Sequence, residues 1–447
     1  MTVADSRRVL KPYPRSGRWT EIEAGHLLRR AGWNSGPDEM RRAAAEGLEA
    51  TLRRVLNTQA ETTEFTQASD LLYRVARETG EIDNLKAWWL YRMVNSVNGL
   101  TEKMALFWHN RFATSYAKVR SVEHMADQHE LIRRHALGSF GQLLRGMTQD
   151  VAMLIWLDGN ANRKRHPNEN FARELMELFS LDVGNYTERD IQEAARAFSG
   201  WHVRNDVFWF NRLQHDDGQK TVLGKTGAWG GRDVVELCLS HPACPRFLAR
   251  RLYETFVSRT VPETALEVLA HRVEVHKYQL RPVLGELLGS ELFFADEARH
   301  ALIKSPLDLV VGSLRGLEVR PNLDNVVRVL RELGQDLFEP PTVKGWEGGR
   351  MWISSATVLQ RANVAAELAF GEKLGQPAEP LQVLKRFEVE GDGEICGHYA
   401  RMLLGRQPSE GLQRRLVDFY SEVQGDRSAK VRRLLHLIMT LPEFQLM

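Results

Sequence analysis

The chain has 447 residues, 43% of them hydrophobic and 26% charged, with a formal net charge of +2. That size allows one large helical body or two to three domains around a substantial core. The small net charge gives no strong pull toward nucleic acid or anionic lipid, and no apolar run reaches the roughly 18 residues of a membrane helix. Three cysteines, Cys238, Cys244 and Cys396, are too few for a disulfide scaffold and fit a reducing compartment.

At the N-terminus, Ser6-Arg7-Arg8-Val9-Leu10-Lys11 has the look of a twin-arginine export signature. Pro12-Tyr13-Pro14 follows it where an export signal needs an apolar segment. Residues 1–18 are therefore expected to be a basic, poorly ordered leader, and the protein to be cytoplasmic. Helical periodicity then dominates. Glu21–Gly32 stops at its glycine, and Pro37 marks the first turn of a helix running through Met40, Leu48, Leu52 and Leu56. Leu85–Val94, with Trp88, Trp89 and Tyr91, is apolar nearly all round and is expected to be buried. Leu100–Thr114, Val122–Leu137, Phe140–Met147 and Val151–Leu157 follow with short breaks, as in a packed helical array.

The stretch HPNENFARELMELFSLDVGNYTERDIQEAARAFSGW (166–201) predicts a helical hairpin. Asn168 or Asn170 can cap the first helix, and Glu169 complements its positive end. At 100° per residue, Phe171, Leu175 and Leu178 share its buried face, while Asn170, Arg173, Glu174 and Glu177 lie opposite. Glu169–Arg173 and Arg173–Glu177 have the spacing of helix salt bridges. Thr187 starts the second helix in a capping-box pattern, and Gly200 ends it.

Val207–Asn211 and Thr221–Leu223 flank the turn-forming His215-Asp216-Asp217-Gly218 and predict a β-hairpin at about 206–224. Helices resume after Gly231. Phe338–Trp352, FEPPTVKGWEGGRMW, is a long loop, and Ser354 or Ser355 caps the helix after it. A linker at 371–380 precedes three closing helices. The expected fold is mainly α, a large multi-helix array with one inserted β-hairpin. The main body spans 19–371, and a C-terminal helical segment spans 372–447.

Several segments resemble the motifs of a large bacterial group, domain-of-unknown-function family 1800. EAGHLLRRAGW (23–33), LTEKMALFWHNRFATS (100–115), the 166–201 hairpin, HDDGQKTVLG (215–224), IKSPLDLVVGSLR (303–315) and the FEPPTVKGWEGGRMW loop all match. Ser180, Asp182 and Ser199 are small departures from that pattern. The resemblance implies no established activity. It implies that relatives are often exported, which keeps export open here. It also implies a partner, the product of a neighbouring gene from a second uncharacterised, sulfatase-like family. No nucleic acid is expected to bind.

The motif positions supply the candidate site. It is a polar cleft formed by the NENFARELMEL helix, the HDDG hairpin and the GWEGGRMW loop, binding a ligand or catalysing a reaction. Glu174 and Glu177, one turn apart, and His215 with Asp216 are the acid/base candidates. Glu102, His109, Asn168, Glu169, Asn170, Arg173, Trp201, Lys220, Trp346 and Trp352 are the ligand-binding candidates. The competing expectation is a non-enzymatic helical scaffold that docks a partner protein. No cofactor or metal is assigned. Glu23/His26 and Glu297/His300 have the spacing of di-metal ligands at about the frequency chance provides, and Cys238-x-x-His241-x-x-Cys244 lacks a fourth zinc ligand.

Overall fold

A computed structural model of the chain describes residues 9–14 and 19–447. The arginine pair of the expected leader lies outside the described residues. Within that leader, residues 11–13 are docked: the Tyr13 amide donates to the Gly289 carbonyl at 2.9 Å, and its ring packs 4.4 Å from that of Phe294.

Helices account for most of the described chain, and the only strands among the described residues form two small antiparallel pairs. The fold is mainly α, as the periodicity implies. Local sequence explains many helix boundaries. Thr20 and Glu23 form a capping box at the start of Glu21–Gly32, and Pro37 is the first-turn proline of Pro37–Leu56. Thr187 with Asp190, Ser305 with Asp308, and Ser354 with Thr357 cap three further helices in the same reciprocal way.

The central layer is the helix Gly99–Arg111, whose middle is buried on every side from Glu102 to His109. Ile82–Asn95 and Val122–His135 pack against it, and Trp89, Trp108, Phe112 and Phe140 are among the largest side chains in the core. The last helix, Arg427–Thr440, packs along Ser355–Phe370. The segment near its end pairs with the main body at Ile303 and Leu446.

The 166–201 hairpin departs from plain α periodicity. Asn170–Glu174 is α-helical, but Leu175–Ser180 is a π-helix. Its signature is a wider turn: the Leu181 amide donates to the Met176 carbonyl at 2.9 Å, and Ser180 Oγ to the Leu175 carbonyl at 2.6 Å. The buried positions accordingly fall in pairs, Phe171-Ala172, Leu175-Met176 and Phe179-Ser180, and Leu178 is left half-buried. The same widening turns Glu177 away from Arg173. Arg173 pairs instead with Glu169 at 3.0 Å and Glu188 at 2.8 Å.

The β insertion holds two hairpins. β1 (Trp201–Arg204) pairs with β2 (Val207–Phe210), and β3 (Lys220–Val222) with β4 (Lys225–Gly227). The expected pairing of the Val207 and Thr221 strands does not form, because each strand finds its partner across a tight turn next to it. Gly200 makes the transition from helix to β1. At its φ of +81°, a Cβ would stand 2.5 Å from the Asn211 carbonyl oxygen.

Candidate functional site

The helix Gly99–Arg111 has two polar faces with opposite fates. On one, Glu102 is fully buried and accepts from Arg92 Nε at 3.0 Å, Arg133 Nε at 2.9 Å and Trp89 Nε1 at 3.2 Å. Two turns further, His109 is also buried, and its Nε2 accepts the Phe338 amide at 3.2 Å. Burial lowers the His109 pKa to about 3, so the ring is neutral and suited to accept. Its neighbour Asn110 clamps the loop further along. Asn110 Oδ1 accepts from the Trp346 amide at 2.7 Å, and Nδ2 donates to the Trp346 carbonyl at 3.3 Å. A Cβ on Gly345 would collide with Asn110, so this close approach requires glycine. The FWHN motif thus anchors the Phe338–Trp352 loop at two points.

The other face carries Lys103, Phe107, Asn110 and Arg111, spaced to share one side of the helix. It borders a cleft of about 150 Å³, compared with about 40 Å³ for the cavity beside His398. Trp346 and Trp352 form one wall, Thr255 and Arg259 another, and Ser305 and Asp308 the floor. Lys103 is buried and ion-paired to the partly buried Asp308. Burial alone raises the Asp308 pKa, but Lys103 and the Ser305 hydroxyl more than reverse the effect. The two tryptophans are 6% and 8% exposed, and among the described residues no group accepts either indole N–H.

Glu174 and Glu177 meet the same loop from outside. Glu177 lies 4.0 Å from Lys344 Nζ and accepts from the Tyr186 hydroxyl at 3.2 Å. Glu174 is half-buried, and burial together with the Glu177 charge raises its pKa. The NEN helix and the GWEGG loop are therefore adjacent. At the helix start, Asn168 Oδ1 accepts the Asn170 amide at 3.0 Å, and Asn170 Nδ2 reaches Asp158 at 3.4 Å.

The HDDG segment does not line the cleft. His215 Nδ1 bonds the Ser199 carbonyl at 2.9 Å, and Asp216 accepts from Arg196 Nε at 2.9 Å and from the Gly218 amide at 2.8 Å. Burial raises the Asp216 pKa, but the Arg196 and Gly218 hydrogen bonds outweigh it and leave it low. Lys220, buried beneath, donates to the Asp216 carbonyl at 2.5 Å and the Gly218 carbonyl at 2.9 Å. Burial lowers its pKa, partly offset by Asp216. Trp201 packs edge-on between Phe198 and Phe208 in the core.

The di-metal spacings serve other ends. His26 bonds the Phe293 carbonyl, His300 the Leu404 carbonyl, and Glu23 pairs with Arg299. Among the described residues, no group of three or more His, Cys, Asp or Glu side chains is placed to hold a metal ion. All three cysteines are buried and free.

Sequence reasoning misses Lys103, Arg111, Arg259 and Asp308. Three of these lie within or beside quoted motifs. The face shared by Lys103, Phe107, Asn110 and Arg111 is the signal available for them, but it is masked by the Glu102/His109 face of the same helix. Arg259 arrives from a separate helix end, and nothing local marks it.

Fold and cleft together define a mainly helical protein in which one long Gly/Trp loop is pinned over a polar groove. The chain belongs to the family described as protein of unknown function (DUF1800), whose sequence model matches residues 26–446. No curated protein and no solved structure matches it significantly. No described helix is long and apolar enough to cross a membrane.

Proposed function

We propose that this protein binds a small ligand in the cleft between the Gly99–Arg111 helix and the GWEGGRMW loop. The observation that supports it most is a cleft lined by two nearly buried tryptophans and bordered by Arg111, whose shielded Nε has no hydrogen-bond partner. Buried donors are ordinarily paired, so a leftover guanidinium donor bordering a cleft favours a partner from outside. The two rings add flat apolar walls suited to a ring or short carbon skeleton. In this reading the Glu102 and His109 groups fix the helix and loop, and the HDDG residues brace the β insertion. Glu174 and Glu177 lie outside the cleft against the same loop, and they are the acid/base pair available to a catalysed reaction there, since burial and the neighbouring Glu177 charge raise the Glu174 pKa.

Thr255→Trp tests this directly, because its side chain would fill the cleft. Saturation-transfer NMR against a small-metabolite library is expected to give hits with the native protein that vanish with the plugged variant. Hits unchanged by the plug would refute the cleft as the ligand site.

The scaffold reading has its own observation. Met351 and Leu359, 70% and 64% exposed, stand with Val358 and Ile353 on the surface around the end of the loop. If these residues dock a protein, Met351→Ser with Leu359→Ser abolishes a self-association or complex measurable by light scattering. A monomer in both forms removes the self-association version.

A further inference from the structure

We infer that the ligand of this cleft carries an oxyanion, a carboxylate or phosphate group, gripped by the Arg111 guanidinium. The inference rests on the ligand-binding reading above and names the class of ligand.

Arg111 ends the Gly99–Arg111 helix on its cleft-facing side. Its Nε is shielded from solvent without a hydrogen-bond partner. Among the described residues, none of its nitrogens forms a hydrogen bond or an ion pair. The charges influencing it are Arg251, Glu254, Arg259 and Asp182. Both carboxylates are already engaged by one arginine: Arg251 reaches Glu254 at 3.1 Å and Asp182 at 3.5 Å. Three guanidinium groups therefore share two carboxylates, and Arg111 and Arg259 are left without an ion-pair partner. A sequestered charge without a counterion is costly, and an incoming anion removes that cost. Burial lowers the Arg111 pKa to about 10, which leaves it charged at neutral pH.

The remaining donors converge on the same place. Arg259 Nη1 and Trp352 Nε1 each lie 3.6 Å from the point where a Cβ of residue 348 would stand. Gly348 and Gly349 have φ of +75° and +59°, and their amides find no acceptor among the described residues. Lys103 is not available, being held by Asp308. Glu347 is the remaining carboxylate at the cleft, and it is exposed. An arginine fork matches the two oxygens of a carboxylate or phosphate. The cleft volume of about 150 Å³ is several times what one water needs, enough for such a group with a short body.

The test is a titration followed by tryptophan fluorescence and thermal shift at fixed ionic strength. Its probes are acetate, inorganic phosphate and neutral acetamide, added to the native protein, Arg111→Gln, Arg259→Gln and Thr255→Trp. The native protein is expected to bind acetate or phosphate saturably, and the better of the two identifies the anionic group. Acetamide should bind at least tenfold more weakly. Arg111→Gln should weaken the anion at least tenfold and Arg259→Gln about threefold, while Thr255→Trp abolishes binding. Arg259 is exposed, so its variant provides a test even if Arg111→Gln fails to fold. Anion binding unchanged in both arginine variants overturns the inference. Acetamide binding as tightly as acetate, with sensitivity to the plug, also overturns the anion assignment but keeps the ligand-binding reading. If no probe and no library compound responds to the plug, both fall.

Discussion

Two regions of this protein use the same kinds of residue and end in opposite states. Around Glu102, one carboxylate accepts from Arg92, Arg133 and Trp89 at once, and no charge in that group is left without a partner. Some two turns along the same helix, Arg111, Trp346 and Trp352 border a cleft with guanidinium and indole donors that no described protein group accepts. The saturated cluster is what a fold needs, since a buried polar group without a partner is destabilising. The unsaturated one weakens the fold unless something else fills it. In the proposed reading, the first group holds the chain together and the second is available to a ligand.

The largest effect should come from breaking the saturated region. Glu102→Ala leaves two buried or half-buried arginines facing each other, and a loss of about 3–5 kcal/mol is expected by chemical denaturation. A change under about 1 kcal/mol would mean the cluster is not what anchors the helix.

Asp216→Ala should follow. It releases Arg196 and the Gly218 amide, and about 1–3 kcal/mol of stability should be lost while cleft binding stays unchanged. Lost binding in a folded Asp216→Ala protein would bring the HDDG segment back into the site.

Acid should weaken the saturated core next. Burial holds His109 at about 3 and His398 at about 4, and keeps His26 and His129 well below the usual histidine value. Groups depressed in the fold add stability that is complete above the unfolded value, about 6.5, and is lost as pH falls toward the folded one. Asp150 acts oppositely: burial raises it to about 7, so its contribution is present in acid and fades as pH rises through that value. With four histidines against one aspartate, the denaturation midpoint should drop between pH 6.5 and 4. His109→Gln should flatten that slope, and an unchanged slope would mean His109 is not neutral in the fold.

The smallest effect belongs to Glu177→Gln. Its pairing with the exposed Lys344 is long, at 4.0 Å, and about 0–1 kcal/mol is expected from this pair. A larger loss would place Glu177 among the structural residues and remove it from the acid/base candidates.

Much of the fold was legible in the sequence because helix caps and apolar spacing are local. Pro37, Thr187 and Ser354 mark helix starts as they read. The π-helix at 175–180 was not legible, since a wider turn depends on the Ser180 hydroxyl finding the Leu175 carbonyl after packing. The strand pairing of the β insertion was hidden for a similar reason, as two short turns competed with one long one. For the site, the GWEGG tryptophans stood out by composition. Arg111 and Arg259 did not, because an arginine reads alike whether its partner is a protein carboxylate or a ligand. That distinction exists only once Arg251 has taken Glu254 and Asp182.

The central claim is that the cleft donors are kept for a ligand and not for the fold, and the thermal stability of Arg111→Met without ligand tests it most directly. Methionine keeps much of the apolar stem and removes the unpaired charge, so the midpoint should stay level or rise relative to the native protein. A fall as large as that of Asp216→Ala would contradict the claim, because Arg111 would then be as much a part of the fold's own bonding as Asp216.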